Sequence, residues 1–154
     1  MTRGLPILYA EDDENDAFLV QLAFKNAAVD WPMKIVHDGK TALEYLSGLS
    51  KYADRRKHPM PGLVLLDVKM PGISGLEVLR WVRQQPEFSS LPVLMLTSSA
   101  HNADVHQAYL IGANGYLVKP SKVDDMVKMA KAIGDFWLVV NHLPPGAGAR
   151  MPAQ

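Results

Sequence analysis

The chain contains no cysteine. This excludes disulfides, thiolate metal sites and cysteine nucleophiles, and it is compatible with a reducing compartment. Net charge is missing too. Sixteen Lys and Arg balance sixteen Asp and Glu, so no global field draws the chain to nucleic acid or to an anionic membrane. No apolar run approaches the roughly 20 residues needed to cross a bilayer. The first apolar stretch is cut off by Glu11-Asp12-Asp13, too early for a signal peptide. There is no internal repeat and no shift of composition that would mark a second domain. These absences point to a soluble, cytoplasmic protein with no nucleic-acid or membrane partner.

What remains is ordinary globular material: 48% apolar and 21% charged residues in a chain of 154. A domain of this size buries roughly 68–70% of its unfolded surface and needs no staples. Residues 1–143 read as one domain and 144–154, rich in Pro, Gly and Ala, as a flexible tail too short for an output module. Strands are expected over 5–10, 33–36, 62–66, 91–96 and 115–118. Helices are expected over about 14–28, 41–49, 74–85 and 103–111, and along the stripe Val123, Met126, Val127, Ala130 and Ile133. In the first helix, Phe18, Leu19, Val20, Leu22, Ala23 and Val29 are assigned to the sheet side. Ser74 is a candidate N-cap, Gly48 and Gly112 are helix stops, and the basic stretch from Ser50 to Pro61 reads as an exposed loop. Strand followed by helix, five times over, is the pattern of a doubly wound α/β fold with a five-stranded parallel sheet.

In such a sheet the residues just after the strands share one edge, where open α/β sheets bind ligands. That edge collects Glu11 and Asp12 after the first strand, Asp67 after the run Leu63-Val64-Leu65-Leu66, Thr97 after the fourth strand and Lys119-Pro120 after the fifth. Unit negative charges about 4 Å apart repel by roughly 4 kcal/mol at an effective dielectric of 20. Lys119 alone cannot neutralise three carboxylates, whereas a hard divalent cation such as Mg²⁺ can. Asp67 is then placed as a carboxylate nucleophile toward phosphorus. Thr97 and Lys119 are placed to contact phosphoryl oxygens.

This ordered set resembles the receiver domain of two-component response regulators. The resemblance runs from about Leu5 to Val140 and rests on Glu11-Asp12, Asp67 before Val68-Lys69-Met70-Pro71-Gly72, Thr97, and Lys119-Pro120. It implies a flavodoxin-like sheet of order 2-1-3-4-5 and phosphorylation of Asp67 by a sensor histidine kinase. It also implies Mg²⁺ held by Asp12, Asp67, the backbone carbonyl of Lys69 and, through water, Glu11. In this family the bond preceding Pro120 is often cis, and Thr97 and Tyr116 form the switch that reshapes the face made by helix 4, strand 5 and helix 5. The long basic loop and the Asp135-Phe136-Trp137-Leu138 helix end resemble the stand-alone regulators that serve phytochrome-type kinases. A homodimer through the switch face is a further expectation of that likeness.

Several plainer readings stand beside these. Asp13 reads as a solvated first-turn residue, Tyr116 as a strand aromatic or the switch, and the basic loop as a solvated insertion or a partner patch. Phe136 and Trp137 read as core, with a dimer contact as the alternative. None of the five histidines is assigned chemistry. Two other functions are weighed: an aspartate-nucleophile phosphatase of the haloacid dehalogenase type, which needs an aspartate where Lys69 stands, and a degenerate receiver that serves only as a scaffold.

Overall fold

The computed structural model describes residues 5–144; the expected start of the chain and most of the tail, 145–154, lie outside the described residues. Five strands, β1 (Ile7–Ala10), β2 (Met33–Val36), β3 (Leu63–Leu66), β4 (Val93–Thr97) and β5 (Gly115–Val118), alternate with five helices. These are α1 (Glu14–Asn26), α2 (Gly39–Ser47), α3 (Gly75–Gln84), α4 (Asn102–Ile111) and α5 (Val123–Ile133). The sheet is parallel throughout, in the order β2-β1-β3-β4-β5. The expected doubly wound architecture is therefore the observed one.

The pleat divides the central strands between two cores, because successive side chains point to opposite faces. Leu8, Ala10, Val64, Leu66, Val93 and Met95 pack with Ala42, Leu46, Val78, Leu79, Val82 and Ala108 on the α2–α4 side. Ile7, Tyr9, Leu63, Leu65, Leu94 and Leu96 pack with Ala17, Val20, Phe24, Met126, Ala130 and Ile133 on the α1/α5 side. Burial on both faces explains why β3 and β4 read as continuous apolar runs.

The helix ends follow local chemistry. Ser74 caps α3 in a reciprocal box: Glu77 N donates to Ser74 Oγ at 3.2 Å, and Ser74 N donates to Glu77 Oε2 at 2.7 Å. Gly75 permits the contact between α3 and the end of β3, since a Cβ there would lie 1.9 Å from the Asp67 carbonyl oxygen. Gly48 ends α2 in the left-handed region at φ 70°, the conformation glycine adopts without steric cost. The turn signal at Asp38 proves to be the N-cap of α2, which therefore starts two residues before the expected Thr41: Thr41 N donates to Asp38 Oδ1 at 2.7 Å.

Four expectations need correction. In α1 the buried residues are Ala17, Val20, Ala23 and Phe24, whereas Phe18, Leu19 and Leu22 are exposed. Small alanines let the helix lie close to the sheet, and the larger side chains ring its outer side. Val123 likewise stands out of the α5 stripe into solvent, while Met126, Ala130 and Ile133 are buried. The stretch 50–61 is only partly an exposed loop. It begins with a 3₁₀ turn (Ser50–Tyr52) and buries Tyr52 and Met60. Arg55 donates to the carbonyls of Tyr45 (2.8 Å), Leu46 (2.9 Å) and His58 (3.1 Å). Beyond α5 the chain continues as a π-helical segment, Gly134–Val140, in which Leu138 is buried and Phe136 exposed. Trp137 is half-buried against the α1/α5 core, so of the pair only it meets the core expectation.

Candidate functional site

The carboxyl ends of β1, β3, β4 and β5 converge as expected. Asp67 follows β3 directly, and its amide donates to the carbonyl of Ala10, the last residue of β1, at 3.1 Å. This bond sets the acid beside Glu11 and Asp12. One carboxylate oxygen from each of Glu11, Asp12 and Asp67 lies within 4.8 Å of the others. Glu11 and Asp67 are buried and Asp12 is exposed, so the cluster has one open side.

Lys119 enters from β5. Its amide donates to the Thr97 carbonyl at 2.8 Å, which joins the ends of the last two strands. Its Nζ, on a side chain only 6% exposed, bonds Glu11 Oε1, Asp16 Oδ2 (3.0 Å) and Asp67 Oδ2 (3.3 Å). Burial alone would lower the lysine pKa, but the bonds to Glu11 and Asp16 and the Asp67 charge outweigh it, so the ammonium is held above its usual range. Burial pushes the Glu11 carboxyl up to about 7; the neighbouring Asp67 adds to the rise and Lys119 opposes it. Tyr9 donates to Glu11 Oε1 at 2.9 Å. Burial and the nearby carboxylates raise its phenol, so it remains a donor.

Thr97 is buried at the end of β4, and its Oγ1 accepts from Ser99 N at 3.2 Å. Tyr116 is half-buried against the α2–α4 core and donates from its hydroxyl to the Ser99 carbonyl at 2.8 Å. Lys69 is exposed and borders the cluster, its amide 3.4 Å from Asp67 Oδ1. All seven residues picked from the sequence therefore stand at one edge of the sheet. Lys119-Pro120 departs from the family expectation: no cis peptide occurs among the described residues, and a prolyl bond's trans preference is small enough for either isomer.

Sequence reasoning missed three neighbours. Asp16 shares Lys119 with the cluster from the first turn of α1, where acids are common for reasons of the dipole alone, so its type and place did not single it out. Asp13 is more than a solvated acid, because it caps α1 by accepting from Asp16 N at 2.9 Å. Asp104, in the first turn of α4, accepts from Ser99 Oγ at 2.6 Å; no spacing in the sequence marks it.

The donor set is all oxygen, with four acids around one ammonium. It fits a hard divalent cation, which takes carboxylate, carbonyl and water ligands. The response regulator receiver domain family matches residues 7–131. The chain belongs to that family.

Among this receiver's relatives, response regulator Rcp1 of Synechocystis sp. (strain ATCC 27184 / PCC 6803 / Kazusa) is 36% identical over 138 residues, covering 90% of this chain and 92% of the relative. The phosphorylated cyanobacterial phytochrome response regulator RcpA superposes with a TM-score of 0.84 at 31% identity, covering 92% of this chain and 99% of its own. Response regulator RPA3017, in red light signaling of R. palustris, superposes at 0.86 with 35% identity, covering 91% and 98%. The Mn²⁺-bound form of Rcp1 superposes at 0.80. The receiver is thus a phosphoacceptor response regulator, and the phosphatase and scaffold readings fall away. Proteins of this family bind divalent metal and work with histidine kinases. No helix among the described residues is long and apolar enough to cross a membrane.

Proposed function

We propose that Asp67 accepts a phosphoryl group from the phosphohistidine of a sensor histidine kinase of the phytochrome type. The carrying observation is the carboxylate cluster itself, three acids within 4.8 Å beside a lysine ammonium that contacts two of them. In the reaction an Asp67 carboxylate oxygen forms the new bond to phosphorus while the bond from phosphorus to the donor imidazole nitrogen breaks. The electron pair leaves with the imidazole. Lys119 pairs with a phosphoryl oxygen and Thr97 donates its hydroxyl to another. Asp12, Asp67, the Lys69 carbonyl and, through water, Glu11 would hold Mg²⁺, which would neutralise the developing charge. Tyr116 reports the change to the face formed by α4, β5 and α5. Catalysis is confined to the chain's own phosphorylation and dephosphorylation.

The domain assignment, 1–143 as receiver and 144–154 as tail, belongs to the same proposal, as does a cytoplasmic setting with no nucleic-acid or membrane partner. For the kinase, the outer side of α1 offers Phe18, Leu19 and Leu22, with Val123 opposite. Leu19, Leu22 and Val123 line a cavity of about 350 Å³ that reaches Lys119 and Asp16. That apolar rim beside the acceptor suits a helix carrying the phosphohistidine. For a homodimer, Tyr109 and Leu110 of α4 and Val118 of β5 are exposed on the switch face.

Incubation with acetyl phosphate and Mg²⁺ tests the reading. One phosphoryl group per chain is expected by intact mass, with none on Asp67→Asn. Unlabelled wild-type protein refutes it.

A further inference from the structure

Ser99 lies in the turn between β4 and α4, is only 9% exposed, and is held from three directions. Its amide donates to Thr97 Oγ1 at 3.2 Å. Its carbonyl accepts from the Tyr116 hydroxyl at 2.8 Å. Its own hydroxyl donates to Asp104 Oδ2 at 2.6 Å and receives a long contact, 3.4 Å, from the His101 amide. One serine thus joins the pocket threonine, the β5 tyrosine and the first turn of α4. The bond to Asp104 is of the short, charge-assisted kind, about twice as strong as a neutral one. It ties Ser99 to the first turn of α4, where the His101 amide makes only the long contact, whereas the bonds with Thr97 and Tyr116 tie it to groups that themselves belong to the switch.

We propose that Asp104 is a positioning residue. By holding the Ser99 hydroxyl, it keeps the Ser99 carbonyl where Tyr116 can donate to it, and so favours the arrangement in which Thr97 and Tyr116 respond to a phosphoryl group on Asp67. This rests on the receiver reading above. A ligand that binds one arrangement better is bound with an apparent affinity that scales with the population of that arrangement. Releasing Ser99 from α4 lowers that population. A rival role for Asp104 is purely electrostatic, because it shares with Asp12 and Lys69 the walls of an open depression of about 510 Å³, where its charge repels an incoming anion. The two roles differ in sign. Loss of charge alone tightens anion binding, while loss of the hydrogen bond weakens it.

Beryllofluoride, a phosphoryl mimic, titrated calorimetrically into the full chain with Mg²⁺ present, separates them. Asp104→Ala is expected to weaken binding about three- to tenfold, the size of one charge-assisted hydrogen bond partly offset by the lost repulsion. Asp104→Asn keeps an acceptor for Ser99 and is expected within about twofold of wild type on the same ground. Tyr116→Phe weakens binding as well, and the Asp104→Ala/Tyr116→Phe double variant is no weaker than the weaker single one, because both remove one coupled arrangement. Ser99→Ala attacks the same bond from its other side while leaving the Asp104 charge in place, and gives a loss at least as large, which guards against a folding defect peculiar to position 104. Unchanged or tighter binding by Asp104→Ala overturns the proposal. So do losses that multiply in the double variant, or an Asp104→Asn as weak as the alanine form. If the wild type itself neither binds beryllofluoride nor takes up phosphoryl, the receiver reading falls and this proposal falls with it. Wild-type binding with Asp104→Ala unchanged overturns the positioning role alone.

Discussion

Two charge-rich regions of this protein are built on opposite principles. Around α2 the charges are closed. Asp38 caps its first turn, and Arg55 takes up the carbonyls at its last turn while Tyr45, Tyr52 and His58 pack ring against ring at 5.0–6.0 Å. At the carboxyl edge of the sheet the charges are left in excess. There Lys119 faces Glu11, Asp16 and Asp67, with Asp12 alongside. A half-buried arginine and a buried lysine hold these places, but Arg55 gives three bonds to backbone carbonyls, whereas the acids around Lys119 retain negative charge that a cation or a transferred group can answer. Buried charge signals function when its neighbours leave it over, and architecture when they use it up.

The contrast can be broken by mutation. Its largest expected effect is Lys119→Met, which removes a donor aimed at developing charge. Phosphoryl uptake from acetyl phosphate should slow by about 10²-fold or more, with the fold retained by circular dichroism; uptake at the wild-type rate would remove the lysine from the pocket's chemistry. Arg55→Ala should do the reverse. Loss of three carbonyl bonds at a half-buried site costs about 2–3 kcal/mol of stability in urea unfolding, while the uptake rate per folded molecule stays unchanged. A slowed uptake would mean that the loop is no mere brace.

A smaller effect tests the left-over charge directly. Mg²⁺ at ten times its Kd should stabilise the wild type by about 1.4 kcal/mol, and Arg55→Ala by the same increment. Asp67→Asn should lose much of it. The smallest effect is at Asp38. Asp38→Ala should cost about 1 kcal/mol at neutral pH as a lost N-cap. The bonds from Thr41 hold the Asp38 carboxyl below its usual 3.8. A folded pKa below the unfolded one places this stabilisation above 3.8 and removes it as pH falls through the folded value. The gap between wild type and Asp38→Ala in acid unfolding should therefore close below that point, and a gap that persists would mean that the side chain acts by packing alone.

Much of this was legible along the chain. Runs such as Leu63-Val64-Leu65-Leu66 announce strands buried on both faces, and Asp67 before Pro71-Gly72 announces an acid at a sheet edge. The spacing of Glu11, Asp12, Thr97 and Lys119 against five strands implies that they meet. The apolar residues of α1 go almost round the helix, so periodicity alone does not say whether Ala17 or Phe18 faces inward. The loop after α2 reads as exposed because Arg55 and His58 are polar by type, and their partial burial, with the burial of Tyr52 and Met60, comes from partners that no local pattern names. Asp104 lies in the first turn of a helix, where acids are common for reasons of the dipole alone.

The sequence by itself determined the elements, their alternation and the acids at the strand ends, because these depend on local periodicity and on chain connectivity. Only the tertiary structure decided that Lys119 bonds Asp16 as well as Glu11 and Asp67, that Tyr116 and Asp104 meet at Ser99, and that Phe18, Leu19 and Leu22 remain at the surface. These depend on where helices from distant parts of the chain come to rest on the sheet, and that is set by packing volume and by the satisfaction of buried polar groups.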